Sequence, residues 1–249
     1  MIRRLFFCLL VSGCFTVYAK EVTVVAGWDK PPYVITETHS GFELELVSTI
    51  LTRLGHTMSP VFVPFGRSAR QLENGVADIV LTLNTGHQVP ELLLSDVYVA
   101  YQNAAITLTH RGLNIKKCED LKPYTILAFQ TAHNVLGPDY HQAVSGHKGY
   151  IEIAAQQRQV KMLLLGSVDV AVMDRNIFAW LRDQLPARFQ KEVTFHDLFR
   201  RSEYRAAILN AELRQQFNTQ LQLMRQDGSY EKLVKKYRLS YSNPPTGKS

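Results

Sequence analysis

The chain has 249 residues, 46% of them hydrophobic and 20% charged, and a formal net charge of +6. That composition suffices for packed cores and sets aside a disordered chain. Lys and Arg are scattered, Lys116-Lys117 and Lys235-Lys236 standing as isolated pairs, so there is no basic stripe with interleaved aromatics and nucleic acid is not an expected partner.

Residues 1–19 have the make-up of a secretory signal peptide. Arg3 and Arg4 form a positive start, Leu5 to Val17 is apolar apart from Ser12, Gly13 and Thr16, and Val17-Tyr18-Ala19 suits a peptidase that cuts after Ala19. The stretch is shorter than the ~20 residues a membrane span needs. A second reading of the segment is a lipoprotein box, Val11-Ser12-Gly13-Cys14, in which Cys14 would be acylated. Either reading places the mature chain in the periplasm. With Cys8 and Cys14 in the signal, Cys118 is left alone. It reads as a small apolar filler rather than half of a disulfide. No cofactor or metal cluster is expected.

Strands and helices then alternate. Val22 to Ala26 is a short apolar strand. Phe42, Leu46, Ile50 and Leu54 recur at helical spacing, widened by Leu44, Val47 and Leu51, and Gly55 ends that helix. Val61 to Val63 is a strand, Ser68 begins a short helix that stops at Asn74-Gly75, and Asp78 to Thr82 is a third strand. The pattern returns with a strand at Tyr124 to Phe129, a helix at Gln156 to Leu165, a strand at Val168 to Met173 and a helix at Ile177 to Leu185. Ala104 to Leu108 and Arg205 to Leu209 are apolar runs at the places where the chain would cross between the two units. Ala211 to Lys236 is helical with a break at Asp227-Gly228, and Asn243 to Gly247 is expected to fray. Two βαβ units imply an α/β fold of two largely parallel, doubly wound lobes. They are expected at 20–107 plus 200–249 and at 108–199, with the two crossings as a hinge.

Five pieces in order carry a family resemblance: Trp28 to Tyr33 (WDKPPY), Gly41 to Leu46 (GFELEL), Leu72 to Asp78 (LENGVAD), Leu94 to Tyr98 (LSDVY) and Leu164 to Asp174 (LLGSVDVAVMD). Together they resemble the family 3 periplasmic solute-binding proteins of ABC importers over essentially the whole mature length. The second piece departs at Leu51, where the family has a small residue or Val. The resemblance implies a monomer that closes two lobes on a small polar solute and hands it to an inner-membrane ABC permease, without catalysis. Relatives on this fold suggest two other roles. One is the ligand-sensing part of a signalling system. The other is a dehydratase-like enzyme, which would need Asp174 or Glu37 as a cleft acid.

In open α/β sheets ligands sit beyond the carboxyl ends of the strands. That rule points to Trp28 and Tyr33 after the first strand, Thr82, Asn84 and Thr85 after the third, Gln130, Ala132 and His133 in the second unit, and Asp174. Trp28 and Tyr33 are expected as an aromatic wall. Asp174 matches the family position that receives a ligand ammonium, and its place before Asn176 to Trp180 also suits a helix N-cap. Glu43 and Glu45 are expected on a solvated helix surface or in a capping role, and His87 and His133 in surface or hydrogen-bonded roles. Amino-acid binders of the family grip the ligand carboxylate with an Arg from the loop after the third strand. Here that loop, Asn84 to Pro90, has no Lys or Arg, and none occurs between Arg70 and Arg111. Arg67 or Arg70 is left to reach the cleft instead, with Arg67 as the candidate ligand contact, and ordinary L-amino acids are expected to bind weakly.

Overall fold

The structure, a computed structural model, describes residues 20–64, 67–84 and 89–240. The expected signal peptide with its alternative lipoprotein box at Cys14, Thr85, His87 and the tail at 243–247 lie outside the described residues. The first half holds β1 (Glu21–Gly27), α1 (Phe42–Arg53), β2 (Thr57–Val63), α2 (Ser68–Glu73), β3 (Ile79–Leu83), β4 (Val99–Tyr101) and β5 (Asn103–Leu108). Then come β6 (Ile126–Phe129), α3 (Ala132–Val135), α4 (Pro138–Val144), β7 (Tyr150–Ile153), α5 (Gln156–Leu165), β8 (Val170–Asp174) and α6 (Arg175–Asp183). The chain closes with β9 (Val193–His196), β10 (Ser202–Ile208), α7 (Ala211–Gln226) and α8 (Ser229–Lys236).

The strands form two separate five-stranded sheets, ordered β2-β1-β3-β10-β4 and β7-β6-β8-β5-β9. β1, β2 and β3 run parallel, as do β6, β7 and β8. One strand is reversed in each sheet: β10 is antiparallel to β3 and β4, and β5 to β8 and β9. The reversed strands are where the chain changes lobe. β4 ends at Tyr101 in the first sheet and β5 begins at Asn103 in the second, so Gln102 alone is the first crossing. The second crossing is residues 197–201, between β9 and β10.

This corrects the sequence-based boundary. Residues 103–107, expected in the first lobe, lie in β5 of the second sheet, and 205–208 lie within β10 rather than in a linker. Both runs are apolar because a strand inside a sheet is covered on both faces. Every residue of β5 is buried.

Helix α1 follows its periodicity. Phe42, Leu46, Val47, Ile50 and Leu51 are fully buried, and each apolar side chain so placed contributes roughly 1.5–3 kcal/mol. The helix starts at Gly41, whose φ of 115° is closed to most side chains. Its N–H donates to the Tyr237 hydroxyl at 3.0 Å. A Cβ built on Gly41 would meet the Tyr33 carbonyl oxygen at 2.4 Å. Gly41→Ala is therefore expected to cost about 2–5 kcal/mol, strain plus overpacking. Gly55→Ala, also at positive φ but with nothing within 4 Å of its Cβ, should cost only about 1 kcal/mol. Chemical denaturation of the two variants checks the order; equal losses would remove the close approach as the cause.

Candidate functional site

The carboxyl ends of the parallel strands in the two sheets face a common cavity of about 280 Å³. Seven residues of each lobe line it. On the first lobe, Trp28, Asp29 and Lys30 follow β1, Pro64 follows β2, and Thr82, Tyr101 and Tyr204 come from β3, β4 and β10. On the second, Asn103 opens β5, Phe129 ends β6 and Gln130 follows it, and Ala154 and Gln156 follow β7. Asp174 ends β8, and Ile177 stands on α6.

The wall of the first lobe rests on a buried carboxylate. Glu43, in the first turn of α1, is fully buried, contrary to the solvated surface expected from sequence. The Thr82 hydroxyl donates to Glu43 Oε2 at 2.7 Å, the Tyr101 hydroxyl to Oε1 at 2.5 Å, and the Tyr98 hydroxyl also donates to Oε2. Lys30 Nζ lies 3.7 Å from Glu43 Oε1 and donates to Thr82 Oγ1 at 3.0 Å. It also sits 5.4 Å from the centre of the Tyr101 ring. Burial pulls the Lys30 ammonium below its ordinary range, against the charge of Glu43, which holds the proton on. Burial first, then Glu43, pushes Tyr98 and Tyr101 well up, so both remain hydrogen-bond donors. Thr82 adopts the left-handed region at φ 60°, beside a register shift between β3 and β10. That local strain, of order 1–3 kcal/mol, aims its hydroxyl at Glu43 and presents its N–H to the Tyr98 hydroxyl at 2.9 Å. Glu45, two positions on, is half-buried and pairs with Lys236 at 2.6 Å.

The second lobe contributes Asp174. Its carboxylate is 3% exposed and caps α6: Oδ1 accepts the N–H groups of Asn176 and Ile177 at 2.9 and 3.0 Å. Oδ2 accepts the N–H of the crossing residue Gln102 at 2.8 Å, and the Tyr33 hydroxyl of the first lobe reaches Oδ1 at 3.3 Å. Burial pushes the Asp174 carboxyl up to about 6, against the three N–H donors and the tyrosine, which hold it down. The N-cap expected from sequence is present, and the same side chain borders the cavity.

The other expected contacts divide. Trp28, Thr82, Gln130 and Asp174 line the cavity. Trp28 stands at its mouth, 59% exposed. Tyr33 does not form the aromatic wall. It is fully buried, stacked on Tyr101 with centroids 4.0 Å apart, and its hydroxyl also accepts from Asn176 Nδ2 at 2.9 Å. Arg67 is exposed and outside the lining, Ala132 is buried behind it, and Asn84 is half-buried and outside it. His133 turns away and holds Glu152 through its N–H at 2.9 Å and Nδ1 at 2.8 Å. Sequence reasoning missed, among others, Asp29, Lys30, Tyr101 and Tyr204. Asp29 and Lys30 had a signal, two charges inside the aromatic-proline motif. Cys118 is free and buried, and burial pushes its thiol up to about 11, which suits a filler. Among the described residues no cluster suits a metal ion.

Residues 22–240 match the bacterial extracellular solute-binding proteins, family 3, and the chain belongs to that family. No curated protein matches its sequence. Among solved structures, an ancestral arginine-binding protein bound to arginine superposes with a TM-score of 0.69 at 22% identity, covering 87% of this chain and 97% of that one. A histidine kinase sensor domain with similarity to periplasmic binding proteins gives 0.68 at 16%, covering 88% and 96%. An ancestral amino acid-binding protein, precursor of cyclohexadienyl dehydratase, gives 0.66 at 22%, covering 87% and 94%. At these identities the likeness is one of fold, the two-lobed binding-protein architecture.

A carboxyl raised from 3.8 to about 6 in the folded state binds more protons than in the unfolded chain between those values, so stability falls as pH rises through that window. Relative to Asp174→Asn, the ligand-free protein is expected to lose on the order of 2–3 kcal/mol between about pH 4 and pH 6 and little beyond. Parallel denaturation curves across that range measure the difference. A gap that stays constant with pH would show that the carboxyl is not raised.

Proposed function

We propose that the protein is a periplasmic receptor that captures a small polar solute bearing an ammonium group and delivers it to an inner-membrane ABC permease. The observation that carries this reading is the position of Asp174, a buried carboxylate on a cavity lined by both lobes. A desolvated carboxylate is costly unless a cation or donors repay it. Its N–H partners stabilise it only in part, and a ligand ammonium completes the compensation. Aromatic Trp28 and Tyr204 border the same cavity and add cation–π attraction where a ring face meets the cation.

Closure follows from the linkage of the lobes. A solute that touches both walls only when they approach favours the closed population by its differential affinity. The two crossings, at Gln102 and at 197–201, are the segments that must absorb the change. Trp28, exposed at the mouth, is placed to be covered on closing.

Asp174→Asn tests the reading. Loss of the charge is expected to weaken an ammonium ligand by about 2–5 kcal/mol. Asparagine keeps the cap on α6, but its amide confronts the Gln102 N–H, so the fold should lose about 1–3 kcal/mol as well. Calorimetric titration of the folded variant, with a solute identified by thermal-shift screening of amines and amino acids, separates the two effects. Unchanged affinity would remove Asp174 from the site.

A further inference from the structure

Resting on that reading, we propose that the buried Lys30–Glu43 pair makes the cavity selective for an organic cation that lacks a carboxylate beside its ammonium. Lys30 is the one cation among the described residues that line the cavity. Its charge is already matched by Glu43, which is fully buried behind it and cannot turn to water. The groups around the pair face inward. The hydroxyls of Thr82 and Tyr101, both cavity residues, donate to Glu43, and Thr82 Oγ1 also accepts from Lys30. The first lobe thus offers an entering carboxylate no uncompensated cation.

The remaining charges are of one sign. Asp29 borders the cavity and accepts both the N–H and the hydroxyl of Thr36, at 2.7 and 2.6 Å. Asp174 borders it from the other lobe. Counting Lys30 against Glu43 leaves these two carboxylates unbalanced, and a ligand carboxylate would add a third negative charge to a partly desolvated space. A like charge placed there raises the cost of binding, whereas a positive charge is favoured. Four aromatic residues, Trp28, Tyr101, Phe129 and Tyr204, border the same space, and aromatic surroundings recognise organic ammonium ions.

The test uses pairs of compounds that differ by one carboxylate: agmatine and L-arginine, cadaverine and L-lysine, histamine and L-histidine. Each is titrated calorimetrically into the wild-type protein at millimolar concentration. The decarboxylated member of at least one pair is expected to bind at least about tenfold more tightly than its partner. Equal or tighter binding of the amino acids would overturn the carboxylate selectivity and leave the ammonium reading standing. Binding of no compound in any pair would overturn both. Glu43→Gln gives a second measurement. Its side-chain oxygen can still accept hydroxyls while the charge of Lys30 is released, so affinity for the carboxylated members should rise at least about tenfold. A folded Glu43→Gln protein with unchanged preference would remove the pair as the device. If that variant does not fold, the wild-type comparison decides alone.

Discussion

Asp174 accepts hydrogen bonds from three separate parts of the chain. The first N–H groups of α6, the N–H of the crossing at Gln102 and the Tyr33 hydroxyl of the other lobe all converge on its two oxygens. A carboxylate is the one short side chain that can accept all of these without bringing a competing donor. The junction extends further. Asn176 Nδ2 donates to the Tyr33 hydroxyl, and its Oδ1 accepts the N–H and hydroxyl of Ser240 at 2.9 and 2.8 Å. The end of the described chain, which belongs to the first lobe, is thus tied to α6 of the second. The carboxylate at this junction thus touches the crossing, the helix and the opposite lobe at once.

The first lobe answers with its own buried charge. Glu43 would be untenable alone, since leaving one member of a buried pair without its partner costs about 3–5 kcal/mol. Lys30 and three hydroxyls compensate it. The compensation lies within the lobe, and the Lys30–Glu43 network that results is electrically balanced. The two lobes therefore differ in kind: one presents a closed, neutral network behind aromatic rings, the other a carboxylate raised by burial and still bordering the cavity.

Much of this was legible in the residues. The stripe Phe42, Leu46, Ile50 announced α1, and the strand-helix alternation announced two α/β units, because each element has one face to bury and the period shows it. Asp174 was legible twice, as the residue before a helix and as the end of a strand at the cleft; the cap is observed, and the ligand contact is proposed. Other features were not. β5 looked like a connector because a strand covered on both faces loses the alternation that marks strands. Glu43 looked solvated because a spacing of two on a helix says nothing of which face is buried, and the hydroxyls that satisfy it come from Thr82, Tyr98 and Tyr101, far away in sequence. Tyr33 drew attention as an aromatic beside two prolines, yet it is Lys30, three residues earlier, that borders the cavity, while Tyr33 turns inward to the junction.

The most direct measurement of the account is the titration of the Asp174 carboxyl itself, by carbon NMR with Asp174→Asn as the assignment control, in the free protein and with bound solute. The account expects a carboxyl near 6 in the free protein that falls by about one unit or more when an ammonium binds beside it. A carboxyl that titrates at the same pH with and without saturating solute would contradict it.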